Sequence, residues 1–118
     1  MHMLIMVLDD SSRLNEVLEA WIEAGVMGVT ILESTGVHRV LPRDSASPMY
    51  AGFTQLFGSG RVGHNTLIAV IEEMEIAESA VKATEAILGD LTKPHTGIIF
   101  AVPVLKTWGV PEPYYEED

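Results

Sequence analysis

The residues of this chain that are best suited to binding chemistry are concentrated in one stretch, residues 36–64. The stretch contains Arg39, Arg43 and Arg61 but only one of the seventeen acidic residues, in a chain whose net charge is −10. An arginine guanidinium can bind a phosphate or a carboxylate through two parallel hydrogen bonds. Connections longer than about 12–15 residues are also uncommon in compact domains unless they have a function. We therefore expect residues 36–64 to form a functional loop that binds an anionic ligand or partner.

Arg39, near the start of this loop, is the strongest single candidate for contact with an anionic ligand. The alternative is that Arg39 is solvated or pairs with an acid of another subunit. Arg43 and Arg61 fit ordinary solvated residues better than ligand contacts, although their positive field in an acidic protein favours an anionic partner.

The loop also carries aromatic residues and is bracketed by two histidines. Tyr50, Phe53 and Phe57 could form a docking surface for a partner protein or pack against the body of the domain, and the sequence is compatible with both. His38 and His64 could meet and bind a metal. Their spacing matches no metal-binding motif, so two unrelated surface histidines are the favoured interpretation.

A second, shorter loop at residues 91–97 combines threonine hydroxyls, a lysine and a glycine. Hydroxyls, an ammonium and the N–H groups of a turn can together bind an anion. The candidate residues are Lys93, Thr96 and Gly97. The alternative is an ordinary connecting loop.

The composition disfavours several classes of function. The chain has no cysteine, which removes disulfides, thiolate catalysis and cysteine-based zinc sites. No nucleophile motif or phosphate-binding fingerprint is present, so we expect a non-enzymatic protein with no resident cofactor or metal. The negative charge argues against nucleic-acid binding. No apolar run approaches the ~18 residues of a membrane span, and the N-terminus is typical of a strand, so we expect a cytoplasmic protein.

Hydrophobic periodicity places four strands and two helices around these loops. Short apolar or β-branched runs predict strands at residues 3–8, 29–35, 66–72 and 98–104. Apolar residues at helical spacing predict helices at residues 11–24 and 77–88. The predicted apolar face of the first helix consists of Leu14, Val17, Leu18, Trp21 and Ile22.

This order of elements predicts a ferredoxin-like α+β sandwich, βαββαβ, with a four-stranded antiparallel sheet, two helices on one face and a long insertion between strands 2 and 3. We expect residues 1–110 to form one domain and residues 111–118 to be an acidic tail. The strands are apolar on both sides, although the helices can cover only one face of the sheet. The bare face should therefore be covered by other copies of the chain, which predicts an oligomer.

Two segments also resemble a known family. Residues 25–39, GVMGVTILESTGVHR, resemble the second strand and T-loop entry of PII signal-transduction proteins, and residues 97–104, GIIFAVPV, are similar to the fourth strand that follows their B-loop. The resemblance extends in order over nearly the whole chain. It implies a homotrimer that binds an adenine nucleotide or another small anionic effector in clefts between subunits. It also implies that residues 36–64 correspond to the T-loop, which contacts a target protein.

The resemblance and the loop chemistry together define the expected sites. The expected ligand-binding residues are Thr30, Gly36, Val37, His38, Arg39, Lys93, Thr96 and Gly97. The expected partner-binding residues are Arg43, Tyr50, Phe53, Phe57 and Arg61.

This sequence departs from the family at several ligand positions. The family's B-loop contains a lysine, whereas the matching residues here, His95-Thr96-Gly97-Ile98, contain none, and Lys93 lies nearby. Residues 106–111 also contain no counterpart of the family's two phosphate-binding arginines. The resemblance therefore implies an effector without identifying it. Two alternatives remain open: a metal-responsive trimer of the CutA type that uses His38, His64 or His95, and a small ferredoxin-like hydrolase built on Arg39 and Asn65.

Overall fold

The computed structural model describes residues 1–37 and 61–110, and these residues form the predicted α+β fold. The strands are β1 (His2–Leu8), β2 (Thr30–Val37), β3 (Arg61–Ile71) and β4 (Gly97–Pro103), and the helices are α1 (Leu14–Glu23) and α2 (Met74–Leu88). A 3-10 turn, Ser11–Arg13, precedes α1. The sheet order is β2-β3-β1-β4 and all pairings are antiparallel. The predicted ferredoxin-like βαββαβ arrangement is confirmed.

The start of α1 is defined by a short polar segment. The Asp10 carboxylate accepts hydrogen bonds from the backbone N–H of Ser12 at 3.0 Å and from its hydroxyl at 2.6 Å. These bonds satisfy donors that would otherwise be unpaired at the start of the turn, and they lower the pKa of Asp10. Gly25, with φ +109°, follows the helix in a conformation that favours glycine.

One residue of the predicted apolar face of α1 is exposed in the structure, so this part of the prediction is wrong. Val17 and Trp21 are fully buried, as expected, but Ile22 is 61% exposed. The helix has only ten residues and buries a narrow stripe, so a residue 100° away from Trp21 around the helix axis lies outside it.

The contact between the helices includes one buried polar pair. The Trp21 indole N–H donates to the Thr84 hydroxyl at 2.9 Å, and this hydroxyl donates to the Ala80 carbonyl at 2.7 Å. Each polar atom therefore has a partner in the apolar layer. The prediction that Trp21 belongs to the core is confirmed. Helix α2 begins at Met74, three residues before the predicted start.

The helices cover only one of the two faces of the sheet. Toward the helices, alternate residues of β1 and β3 are buried, namely Leu4, Met6, Leu8, Leu67, Ala69 and Ile71. Residues on the opposite face, hereafter the open face, include Met3, Ile5, Val7, Ile68, Val70, Ile98, Phe100 and Val102 according to the strand register. Ile98 is 56% exposed and Phe100 42% exposed. The open face is therefore apolar, and no described helix covers it.

The hairpin between β2 and β3 is longer than predicted. The strand pairing continues to Gly36 opposite Val62 and Val37 opposite Arg61. The predicted loop boundaries of 36 and 64 are therefore wrong, because Gly36, Val37, Arg61 and His64 are strand residues. Backbone pairing along an established hairpin outweighs the weak strand preference of its glycines.

No helix in the described ranges is both long and apolar enough to cross a membrane.

Candidate functional site

The end of the β2–β3 hairpin contains a close contact between Gly36 and His64. A Cβ atom added at position 36 would lie 2.7 Å from Nδ1 and 2.8 Å from Nε2 of the imidazole. His64 pairs with Ser34, so Gly36 is its diagonal neighbour on the same face of the sheet. Glycine at position 36 leaves room for the ring, which fixes the imidazole where β2 and β3 lead into residues 38–60.

The His64 ring also lies near an acid. Its Nε2 lies 3.5 Å from the Asp9 Oδ1, and the imidazole side chain is only 11% exposed. This distance is within ion-pair range but too long for a good hydrogen bond, and Nε2 has no hydrogen-bond partner within the described residues. A protonated His64 would pair electrostatically with Asp9, and a neutral ring would not.

The second predicted binding segment, residues 91–96, is ordered by its own hydrogen bonds. The N–H and hydroxyl of Thr92 donate to the Asp90 carboxylate at 2.9 and 2.7 Å, which lowers the pKa of Asp90. The Thr96 hydroxyl donates to the Lys93 carbonyl at 2.8 Å and is 3.2 Å from the Leu91 carbonyl. Because the Thr96 hydroxyl donates its hydrogen bond within the loop, an anion would be bound mainly by the exposed Lys93 ammonium.

Gly97 joins this segment to β4 in a conformation that requires glycine. Its φ is +129°, and an added Cβ would lie 2.5 Å from the Val7 carbonyl oxygen. The backbone of β1 therefore approaches position 97 closely. This contact holds the end of the 91–96 segment against the sheet.

The two groups of predicted ligand residues lie at opposite edges of the sheet. Gly36 is in edge strand β2, whereas Gly97 begins edge strand β4 and Lys93 lies in the segment before it, and β3 and β1 lie between the two edges. With neighbouring strands ~4.8 Å apart, the two edges are about 14 Å apart. Both groups are at the same end of the sheet, since Leu8 pairs with both Gly97 and Asn65. One chain therefore does not bring them together around a small ligand.

The remaining predicted residues are divided between described and undescribed parts of the chain. Thr30 is exposed at the first position of β2. Val37 and Arg61 form the last described pair of the hairpin, so Arg61 is in a strand and not in a loop. The residues that lie outside the described residues are His38, Arg39, Arg43, Tyr50, Phe53 and Phe57.

The segment after β4, which the PII resemblance would place near bound phosphates, has its cation engaged with an aromatic ring. The Lys106 ammonium lies 5.2 Å from the centre of the Trp108 ring. Among residues 1–37 and 61–110, no three or more His, Asp or Glu side chains form a group that could hold a metal ion. His64 and Asp9 provide two such side chains, and His95 precedes β4 at the other edge of the sheet.

Asn65, a buried residue of β3, was predicted as a functional residue only in the hydrolase alternative and not among the expected ligand-binding residues. Asn65 occupies the helix-facing position next to the buried Leu67 and Ala69, and it is itself buried. The signal was a polar residue at an inward position of an otherwise apolar alternating strand.

Comparison with models of known protein families finds no match to this chain, and a search of curated proteins finds none either.

Proposed function

We propose that this chain is a PII-like regulatory protein with no enzymatic activity. It binds a small anionic metabolite or an adenine nucleotide in clefts between the subunits of a homotrimer. Its bound state is communicated to a partner protein through residues 38–60 and their flanking strand ends. The observation that supports this proposal is the position of two groups of predicted ligand residues, Gly36 in one and Lys93 and Gly97 in the other, at the same end but at opposite edges of the sheet.

A closed ring of subunits would reunite the two groups. If the β2 edge of one copy meets the β4 edge of the next, Gly36 of the first copy lies near Lys93 and Gly97 of the second. Such head-to-tail contacts close into a ring when the rotation between subunits is suitable, and three copies then form three equivalent clefts. A site of this kind depends on assembly, because neither edge supplies the full set of contacts alone.

The open face supports assembly for a separate reason. Its strands present apolar side chains, with Ile98 and Phe100 about half exposed in the single chain. Large contiguous apolar surfaces that are exposed in a single chain are characteristic of interaction sites. Packing the open faces of three chains around a common axis would remove these side chains from water, with a gain of roughly 25 cal/mol per Å² of apolar area buried.

Communication would follow from differential binding. The ligand needs to bind one arrangement of residues 38–60 more tightly than another, and a coupling of ~1–3 kcal/mol is typical of such switches. Arg39 lies two residues beyond the last described residue of β2. An anion bound at Arg39 is therefore in a position to shift the segment that a partner contacts.

The first measurement is the mass in solution, for which we expect three times the 12.9 kDa of one chain. Calorimetric titration with ATP, ADP, AMP, cyclic nucleotides and bicarbonate should then find a ligand whose affinity is lowered by Arg39→Ala and by Lys93→Ala. Lys82→Ala is the matched control, because Lys82 is an exposed lysine on α2. A trimer that binds none of these compounds, or a monomer, would contradict the proposal.

A further inference from the structure

A polar cavity lies between the 3-10 turn after β1 and the β2–β3 hairpin. Its volume is about 420 Å³, and it is lined by Ser11, Glu33, Ser34, Thr35, Gly63, His64 and Asn65. This volume is within the range of small-molecule sites. None of these residues belongs to the anion site proposed above. The cavity is therefore a separate candidate for ligand binding.

Asn65 gives the cavity an unsatisfied acceptor. The residue is only 9% exposed, and its Oδ1 is buried without a hydrogen-bond partner among the described residues. Buried polar side chains nearly always have a partner, because leaving one unpaired is destabilising. Because Asn65 lines the cavity, its unpaired oxygen favours a hydrogen-bond donor as the occupant.

The remaining wall defines the chemistry of this donor. Glu33 is paired with Asn65 across the β2–β3 hairpin, so a carboxylate and an amide come from directly opposed positions of adjacent strands. Ser11 and Thr35 add hydroxyl oxygens, and none of the described lining residues is a lysine or an arginine. An anion would be repelled by Glu33. A cation with several N–H donors would find a counter-ion and two or three acceptors.

A metal ion fits this wall less well than an organic cation. Calcium takes six to eight oxygen ligands, commonly including several carboxylates, whereas Glu33 is the only carboxylate among the described lining residues. The volume also exceeds the space that a single ion fills. We propose that the cavity binds a small organic amine in its ammonium form, with Glu33 as the counter-ion and the Asn65 Oδ1 as a hydrogen-bond acceptor.

The test is an NMR titration of the full chain with three probes of matched size: butylammonium, 1-butanol and butyrate. We expect butylammonium alone to shift the resonances of the Asn65 side-chain amide and of Thr35 in a saturable manner. Glu33→Gln should weaken this binding by about tenfold, since it removes a charge-assisted hydrogen bond. Glu72→Gln is the matched control, because Glu72 is an exposed acid just beyond the opposite end of β3.

Asn65→Leu should abolish the shift of the Thr35 resonances while leaving the chain folded, because leucine has a similar size and removes the unpaired oxygen. If this variant does not fold, Glu33→Gln still decides the question, since the exposed Glu33 is not part of the core. An equal response to 1-butanol, or unchanged binding in Glu33→Gln, would overturn the proposal. Anion binding weakened by Arg39→Ala is a separate measurement, so either proposal can fail alone.

Discussion

The imidazole of His64 lies over the Cα atom of Gly36 in the neighbouring strand, in the space that a side chain at position 36 would occupy. This contact is near the last described pair of the β2–β3 hairpin. The type of residue at one strand position therefore determines where a nearly buried histidine can lie in the other strand. It also couples the conformation of the hairpin end to the Asp9 carboxylate, which lies 3.5 Å from the same ring.

Gly36→Ala should destabilise the fold by about 1–3 kcal/mol, because the new methyl group must displace the imidazole. The measurement is the free energy of unfolding in urea. Gly63→Ala is the matched control, since a Cβ there meets nothing within 4 Å, and its effect should be small. Adding His64→Ala to Gly36→Ala should recover much of the loss through removal of the ring. Equal effects of the two glycine substitutions would contradict this account.

Gly97→Ala should cost more stability than Gly89→Ala. Both glycines have positive φ, +129° and +89°, so both substitutions strain the backbone. Only at position 97 does the added Cβ also meet a backbone atom, the Val7 carbonyl oxygen at 2.5 Å. We expect the difference in unfolding free energy to exceed about 1 kcal/mol. A larger loss at Gly89 would show that the contact between β1 and β4 is not the limiting constraint.

Thr84→Val should destabilise the chain by about 1–3 kcal/mol, although valine has nearly the same shape. The substitution leaves the buried Trp21 indole N–H without its acceptor at 2.9 Å. Trp21→Phe removes this donor, so Thr84→Val should cost less in the Trp21→Phe background than in the wild-type chain. Urea denaturation of the four variants of this double-mutant cycle provides the measurement. Strict additivity would show that the hydrogen bond contributes little.

The helix-start contact of Asp10 should make stability depend on pH. The hydrogen bonds from the Ser12 hydroxyl and N–H lower the pKa of Asp10 in the folded chain from its usual 3.8. The contribution of these bonds is therefore fully present above pH 3.8 and is lost as the pH falls through the lower, folded-state value. The difference in unfolding free energy between wild type and Asp10→Ala should be constant near neutrality and should fall toward zero in strong acid. In Asp10→Asn, which carries no carboxylate, this pH dependence should be absent.

The order of elements could be predicted because it depends on local patterns. Apolar runs and helical spacing are strong in β1, β4 and α2, and Gly25 and Gly89 lie directly beyond the two helices. The ends of the β2–β3 hairpin could not be predicted, because Gly36 and Gly63 have weak strand preferences and are held by pairing with the other strand. Tertiary pairing decided these boundaries, and local propensity did not.

The candidate sites were harder to predict from the sequence than the fold. Lys93 and Gly97 were predicted from residue type and from the PII resemblance, but their separation from Gly36 by two strands follows only from the sheet order. The pairing of Glu33 with Asn65 required the strand register, and a shift of one residue would place Asn65 on the open face. Chemistry that depends on two strands needs a register that neither strand specifies alone.

Phe100→Glu should convert the proposed trimer into monomers. Phe100 lies opposite Ile5 near the middle of the open face and is 42% exposed in the single chain, so a charge there need not disrupt folding but would be buried on assembly. Ile22→Glu is the control, because Ile22 is 61% exposed on α1, in the helix layer on the other side of the sheet. Light scattering should give three times 12.9 kDa for the control and 12.9 kDa for Phe100→Glu. Circular dichroism should show that both variants are folded, and a Phe100→Glu protein that remains trimeric would place the subunit contacts away from the open face.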